Sequence, residues 1–289
     1  MAVNLTWIDD EVKKAGGIKI IDIGAMDTGG DGLGDPLYSR GLCSIIGFEP
    51  VKEECEKLNR AAGKNRVFLP YAIGDGEEHD FHICNFPMTS SIYKPNKAVT
   101  TQYFNLDNLM QVVKTERIKT FRLDDIPELR SGVDYVKMDI QGAELMAIEG
   151  GKNLMKNILL LETEVEFVPH YENQPLFADL DIAARSLGFY FLQFKNHAFG
   201  SRPFVPLTAT ANSVFTQALW SDAIYVRGFP GFQSLSNEQM YKLIAICHYV
   251  YHYHDFCVHI LHYLDQRNGT ALAQRYFNEV ILAAKAQNK

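Results

Sequence analysis

Short apolar runs alternate with helix-like stretches from Ile18 to Arg227, and this alternation restricts the possible folds more than any other feature. "IKIIDIG" is an unbroken apolar run of strand length, the pattern of a strand buried on both faces of a parallel sheet. "SIIGFEP" repeats it, and "VKEECEKLNRAAG" follows as a helix with Pro50 near its start and Gly63 past its end. "RVFLPYAIG" reads as a third strand and "EHDFHIC" as a more polar edge strand. The strand pattern resumes in "IKTFRL", "VDYVKMDI", "ILLLETEVEF", "FYFLQF" and "WSDAIYVRG", with helices at "AELMAIEGG" and "PLFADLDIAARSLG". The series predicts an α/β fold, a doubly wound and mostly parallel sheet with helices on both faces.

Three segments are expected: an N-terminal helix over 1–17, the alternating region over 18–230, and a C-terminal helical extension over 231–289. Thr6, three residues before Asp9, and the pair Gly16 and Gly17 bracket the first helix. Ser236 and Gln239 form a capping box, after which Met240, Leu243, Cys247, Val250, His254, Cys257, Leu261 and Leu264 recur at steps of three and four. One helix from Asn237 to Asp265 would be about 43 Å long. A single small core seldom covers that length, so the stripe predicts contact with a partner subunit, a homo-oligomer, or use as a lid.

Composition excludes several classes. A net charge of -7 argues against a broad grip on nucleic acid. The five cysteines are scattered without a C-x-x-C pair, so neither a zinc knuckle nor a disulfide framework is expected. "MAVNLTWIDDEVKK" lacks the pattern of a signal peptide, and no apolar run approaches membrane-spanning length. A cytoplasmic protein with no membrane partner is the expectation.

Ligands of open α/β sheets bind beyond the carboxyl ends of the strands. Here those ends are acidic: Asp22 before Ile23 and Gly24, Glu49 before Pro50, Asp75 after Ala72, Ile73 and Gly74, then Asp139, and then Glu162 and Glu164. The loop after Ala25 carries Asp27, Asp31 and Asp35 without a lysine, so a polyphosphate would be repelled, and neither G-x-x-x-x-G-K-[ST] nor G-x-G-x-x-G occurs in it. The missing fingerprint also weighs against a nicotinamide-dependent oxidoreductase. A cationic nucleoside suits the set better: Glu49, about 25 residues past Gly24, stands where an acid grips a ribose diol. Asp22 and Asp139 could face an amino group and a sulfonium, and S-adenosylmethionine meets all three requirements.

"IDIGA", "IGFEP", "YAIGD", "SSIYKPN", "FRLDDI", "DYVKMDIQGAELMAIEGG" and "LLLETEVEF" resemble, in this order, the FkbM-type family of S-adenosylmethionine-dependent methyltransferases. The resemblance spans Ile18 to Arg227, and "KMDIQGAE" with its downstream glycine pair is its most specific part. It implies a class I methyltransferase core of seven strands and O-methylation of a hydroxyl on a sugar, polyketide or other small metabolite. It carries Asp22, Gly24, Ala25, Glu49, Pro50, Ala72, Ile73, Asp75 and Asp139 as cofactor residues. Two departures stand out: Gln141 replaces the family's usual acid before Gly142-Ala143-Glu144, and the first loop is longer and more acidic.

Removal of the hydroxyl proton requires a base within hydrogen-bond reach. Asp139, Glu162 and His170 are the candidates, with His170 in the loop "FVPHYENQPLF", where a surface position is the commoner outcome. Glu162, Glu164 and Glu166 share one strand face, and Glu162 is the one expected to point into the cleft beside Asp139. Ser91, Tyr93, Asn96 and Glu144 are candidate acceptor contacts. An Mg²⁺ ion held by Asp139, Glu144 and Glu162 is the less favoured alternative. His248, His252, Asp255, His259 and His262 would share one helix face with metal-binding spacing, although an aromatic, partly polar face is the better reading. The competing functional reading is a catalytically degenerate methyltransferase fold that serves as a binding module through its C-terminal helix.

Overall fold

The apolar run that opens the series forms β1 (Ile18–Ile23) at the centre of a sheet built from β2 (Cys43–Phe48), β3 (Arg66–Leu69), β7 (Tyr135–Met138), β8 (Leu160–Glu166), β9 (Phe189–Phe194) and β10 (Trp220–Arg227). The structure is a computed structural model that describes residues 5–25, 35–208 and 216–283. The strand order is β3-β2-β1-β7-β8-β10-β9, with β10 antiparallel to both neighbours and the other pairs parallel. This is the mostly parallel seven-stranded α/β sheet expected. A second sheet of three strands, β4 (Ala72–Ile73), β6 (Val112–Phe121) and β5 (Glu78–Cys84), stands apart in the order β4-β6-β5. The single third strand read across "RVFLPYAIG" is therefore two, belonging to different sheets. Pro70, which lacks an N–H, falls between them.

Both faces of the large sheet are covered, as its apolar runs require. On one face Ile20, Tyr135, Leu160 and Ile224 pack beneath the helices Thr6–Lys14, Asn237–Tyr249 and His254–Asn268. On the other, Ile21, Val136, Leu161 and Tyr225 meet Ala147 and Ile148 of helix Glu144–Gly150 and Leu180 and Ala184 of helix Phe177–Ser186. The first helix also meets the C-terminal region: the Tyr249 hydroxyl donates to Asp9 at 2.7 Å, and Trp7 Nε1 donates to Glu279 at 3.0 Å.

Two expectations about the helices need correction. Leu5, not Thr6, occupies the N-cap of the first helix, and it makes no side-chain cap bond. The single long C-terminal helix is two helices, ending at Tyr249 and restarting at His254, with His252 in left-handed backbone at φ 57°. The capping box does form, with Gln239 N–H donating to Ser236 Oγ at 3.2 Å and Ser236 N–H to Gln239 Oε1 at 3.0 Å. Met240, Leu243, Cys247, Cys257, Leu261 and Leu264 are all fully buried in the core of the first sheet face. Full burial of such side chains stabilises by about 1.5–3 kcal/mol each. Val250 and His254 are half-buried, so most of the stripe packs inside the chain and the length argument for a partner subunit or a lid no longer applies. Among the described residues no helix is long and apolar enough to cross a membrane.

Candidate active site

The sheet order reverses direction between β1 and β7, and at such a switch point the loops part to leave a crevice. The end of β1 meets the end of β7 there. Gly24 lies at φ +85°, and a Cβ on it would stand 2.0 Å from the carbonyl oxygen of Asp139, so only glycine lets the two strand ends close. Strand register places Asp22, Lys137 and Glu162 in one row across β1, β7 and β8. Lys137 Nζ sits 3.9 Å from Asp22 Oδ1 and 3.6 Å from Asp139 Oδ2, one cation shared by two carboxylates. Burial pushes the Asp22 pKa up to about 6 against the pull of Lys137. Burial likewise raises that of Glu49, which is 4% exposed at the end of β2 and accepts the Val51 N–H at 2.8 Å.

Ala25 is buried beside Cys55 and Phe68, whereas Asp27 and Asp31 lie outside the described residues. Pro50 follows Glu49 into the next loop. Ala72 and Ile73 form β4 of the smaller sheet. Asp75 Oδ1 accepts from Glu77 N–H at 2.9 Å and from Thr120 Oγ1 at 3.1 Å, so this oxygen holds the turn into β5.

Beyond the ends of β7 and β8 opens a cavity of about 570 Å³. Its polar wall includes Asp139, Gln141, Glu164, Glu166 and His170, and its apolar wall Phe86, Met88, Phe199 and Trp220. Gln141 organises the polar wall. Its Nε2 donates to Asp139 Oδ1 at 2.9 Å and to Glu164 Oε2 at 2.7 Å, its Oε1 accepts from the Tyr171 hydroxyl at 3.1 Å, and its backbone sits at φ 56°. An acid at this position would face two other carboxyl groups; the amide bonds to both. Burial drives the pKa values of Glu164 and Glu166 well above the usual carboxyl range, with the Asp139 charge adding to the rise.

Several candidates from the sequence stand elsewhere. Glu162 does not reach the cleft: it is fully buried, accepts from the Tyr135 hydroxyl at 2.7 Å and from Tyr251, and binds Lys195 Nζ at 2.6 Å. Glu164, one pleat further along the strand, takes the place beside Asp139. Glu144 is neither solvated nor in the cavity wall; it is buried and accepts the Ile140 N–H at 2.7 Å, fixing the turn that carries Asp139. Ser91 donates to the Gln141 carbonyl at 2.7 Å, Asn96 donates to the Pro169 carbonyl at 3.1 Å, and Tyr93 lies half-buried. These three brace the loops and are absent from the cavity wall. His170 is not a surface residue: it is 6% exposed, and burial lowers its pKa to about 4, leaving a neutral imidazole at neutral pH.

The Mg²⁺ alternative does not fit, because neither Glu144 nor Glu162 reaches the cavity wall that Asp139 lines, and Glu162 is held by Tyr135, Tyr251 and Lys195. Among the described residues no group of three His, Cys, Asp or Glu could hold a metal ion. The helix break also splits the histidine face. His248 Nδ1 lies 2.7 Å from the Tyr276 hydroxyl, and His259 packs among Phe229, Phe232 and Tyr263, the aromatic environment preferred for it.

Buried carboxyls also give the site a pH signature. Burial raises the Glu144 pKa from 4.5 to about 7. Below the unfolded value both states are protonated and the fold has its full stability from this group. As pH rises toward 7 the unfolded state ionises first, and stability is lost. Glu144→Gln keeps the acceptor for Ile140, so its Tm at pH 8 should exceed the wild type's and the gap should close by pH 4. A lower Tm throughout that range would contradict this assignment.

Lys195, Arg202, Trp220 and Asp222, all at the cavity wall, went unrecognised in the sequence. Lys195 immediately follows β9 and was open to the same strand-end argument as the acids. Trp220 and Asp222 begin β10, whose antiparallel direction turns its first residues toward the site; sequence pattern does not reveal strand direction.

Residues 22–191 match the family model described as the methyltransferase FkbM domain. The chain is similar to 2-O-methyltransferase NoeI of Sinorhizobium fredii (strain NBRC 101917 / NGR234), at 30% identity over 178 residues that cover 56% of this chain and 70% of that protein. Among solved structures, magnesium protoporphyrin IX methyltransferase from Synechocystis PCC 6803 is 12% identical, with 77% of this chain and 78% of that one covered and a TM-score of 0.37. A tRNA (m1A22) methyltransferase, so described with reserve, from Streptococcus pneumoniae is also 12% identical, with 91% and 89% covered and a TM-score of 0.35.

Proposed function

The chain belongs to the FkbM methyltransferase family, and from that premise we propose that it is an S-adenosylmethionine-dependent O-methyltransferase acting on a hydroxyl of a small metabolite such as a sugar or polyketide. The observation that carries this reading is the position of Asp139, at the switch point between the strand-end acids on one side and the cavity on the other.

Asp22, Gly24, Ala25 and Glu49 with Pro50 are the residues we assign to the cofactor, flanked by Ala72, Ile73 and Asp75. Asp22 Oδ1 is buried without a hydrogen-bond partner, which suits a ligand bearing donors or positive charge. When bound, S-adenosylmethionine supplies an electrophilic methyl group on a sulfonium. The cavity holds the acceptor hydroxyl against that methyl, and such positioning accounts for much of the rate. Asp139 accepts the hydroxyl proton as the oxygen–carbon bond forms. Gln141 and Glu164 fix the Asp139 carboxylate, while Met88, Phe199 and Trp220 limit water at the apolar wall. A catalytically idle binding module gains no support from Gln141, which is built into the carboxyl array, or from the apolar stripe of the C-terminal helices, most of which packs into the core.

Calorimetric titration with S-adenosylhomocysteine tests the cofactor half. Glu49→Ala is expected to abolish binding, because the ribose loses its acceptor at the end of β2. Unchanged binding would remove the ribose assignment.

A further inference from the structure

Two buried side-chain nitrogens at the cavity wall have no hydrogen-bond partner. Arg202 lines the wall, its Nε is buried without a hydrogen bond, and among the described residues no carboxylate pairs with its guanidinium. The other cation at the wall is spent: Lys195 Nζ lies 2.6 Å from Glu162 and 3.9 Å from Asp222. His170 lines the same cavity at 6% exposure, and its Nε2 is also buried and unpartnered. Its backbone is pinned, with its N–H donating to the Val168 carbonyl at 2.9 Å and its carbonyl accepting from Asn96 N–H at 2.8 Å. The Trp220 ring meets its ring edge-on at 6.0 Å. Arg202 is close enough to add to the depression of the imidazole's pKa.

A buried guanidinium nitrogen and a buried imidazole nitrogen that both lack a partner are costly unless a ligand provides one. We infer that Arg202 and His170 form an anion seat in the acceptor cavity, so that the acceptor carries a carboxylate or phosphate group besides the hydroxyl that is methylated. Guanidinium groups match the paired oxygens of either anion. A neutral His170 with its hydrogen on Nε2 donates to the same group. Burial raises the pKa values of Glu164 and Glu166, on the same wall, which weakens their repulsion of an anion. The link from seat to acceptor rests on the methyl-transfer reading; the seat itself does not.

The test is NMR of the Arg202 Nε–H and His170 ring resonances during titration with inorganic phosphate and, separately, with acetate. Saturable shifts with at least one ion are expected in the wild type, and the ion that produces them identifies the group. They should be lost in Arg202→Gln and weakened in Arg202→Lys, with S-adenosylhomocysteine binding preserved in both. Absence of shifts with either ion in the wild type, or shifts that persist in Arg202→Gln, would overturn the proposal. Shifts in a wild-type protein that fails to bind S-adenosylhomocysteine would leave the seat standing and sink the methyl-transfer reading instead.

Discussion

Asp139→Asn is expected to lower kcat by about 10²–10⁴-fold, the usual contribution of a positioned general base, while leaving S-adenosylhomocysteine affinity within a few-fold. The substitution preserves shape. Gln141 Nε2, now 2.9 Å from Asp139 Oδ1, can donate to the asparagine oxygen, and Lys137 keeps Asp22 as a partner. What is lost is an oxygen able to take the hydroxyl proton. The measurement is S-adenosylhomocysteine release across a panel of glycoside and polyketide alcohols, with cofactor binding followed by calorimetry. A variant as active as the wild type would move the base to another group, and His170 is the remaining sequence candidate at the cavity wall. A variant that loses cofactor binding and activity together would make Asp139 a cofactor residue rather than the base.

Gly24→Ala is the second large effect. The new Cβ would be placed 2.0 Å from the Asp139 carbonyl oxygen and 3.3 Å from Ile140 Cγ2, and the backbone at φ +85° is one that L side chains rarely adopt. The left-handed conformation alone costs about 1–2 kcal/mol. The overlap is with backbone, which cannot swing aside, so the ends of β1 and β7 must part. Tm should fall by roughly 5–10 °C, and S-adenosylhomocysteine affinity by at least about tenfold, equivalent to 1.4 kcal/mol. If both quantities were unchanged, the closure of the two strand ends would not depend on glycine at this position.

The parts of this architecture set by local apolar pattern were legible before the fold was known. "IKIIDIG" and "SIIGFEP" became adjacent parallel strands because runs buried on both faces leave no polar side to expose. Asp22, Glu49 and Asp139 stand at the strand ends where the apolar runs place them. The break between Tyr249 and His254 was not legible, because "VYHYH" contains neither glycine nor proline. The reason for it is tertiary: within the break Tyr251 reaches down to Glu162 and Tyr135, and a continuous helix would have followed the stripe past them. The choice of Glu162 over Glu164 failed for a related reason. Period-two alternation puts both on one face, but only the fold decides which of them lies under the C-terminal extension and which at the open end. Arg202 and Trp220 were invisible because the cavity they complete joins segments distant in sequence, and a lone arginine in a loop carries no periodic signal.

The central claim is that the strand-end acids hold the cofactor and the adjoining cavity the acceptor, with Asp139 between them. A crystal structure with S-adenosylhomocysteine tests it most directly. The account predicts the ribose hydroxyls on the Glu49 carboxylate and the sulfur opening toward the cavity beside Asp139. A nucleoside seated away from Glu49, or filling the cavity against Trp220 and Glu166, would contradict it.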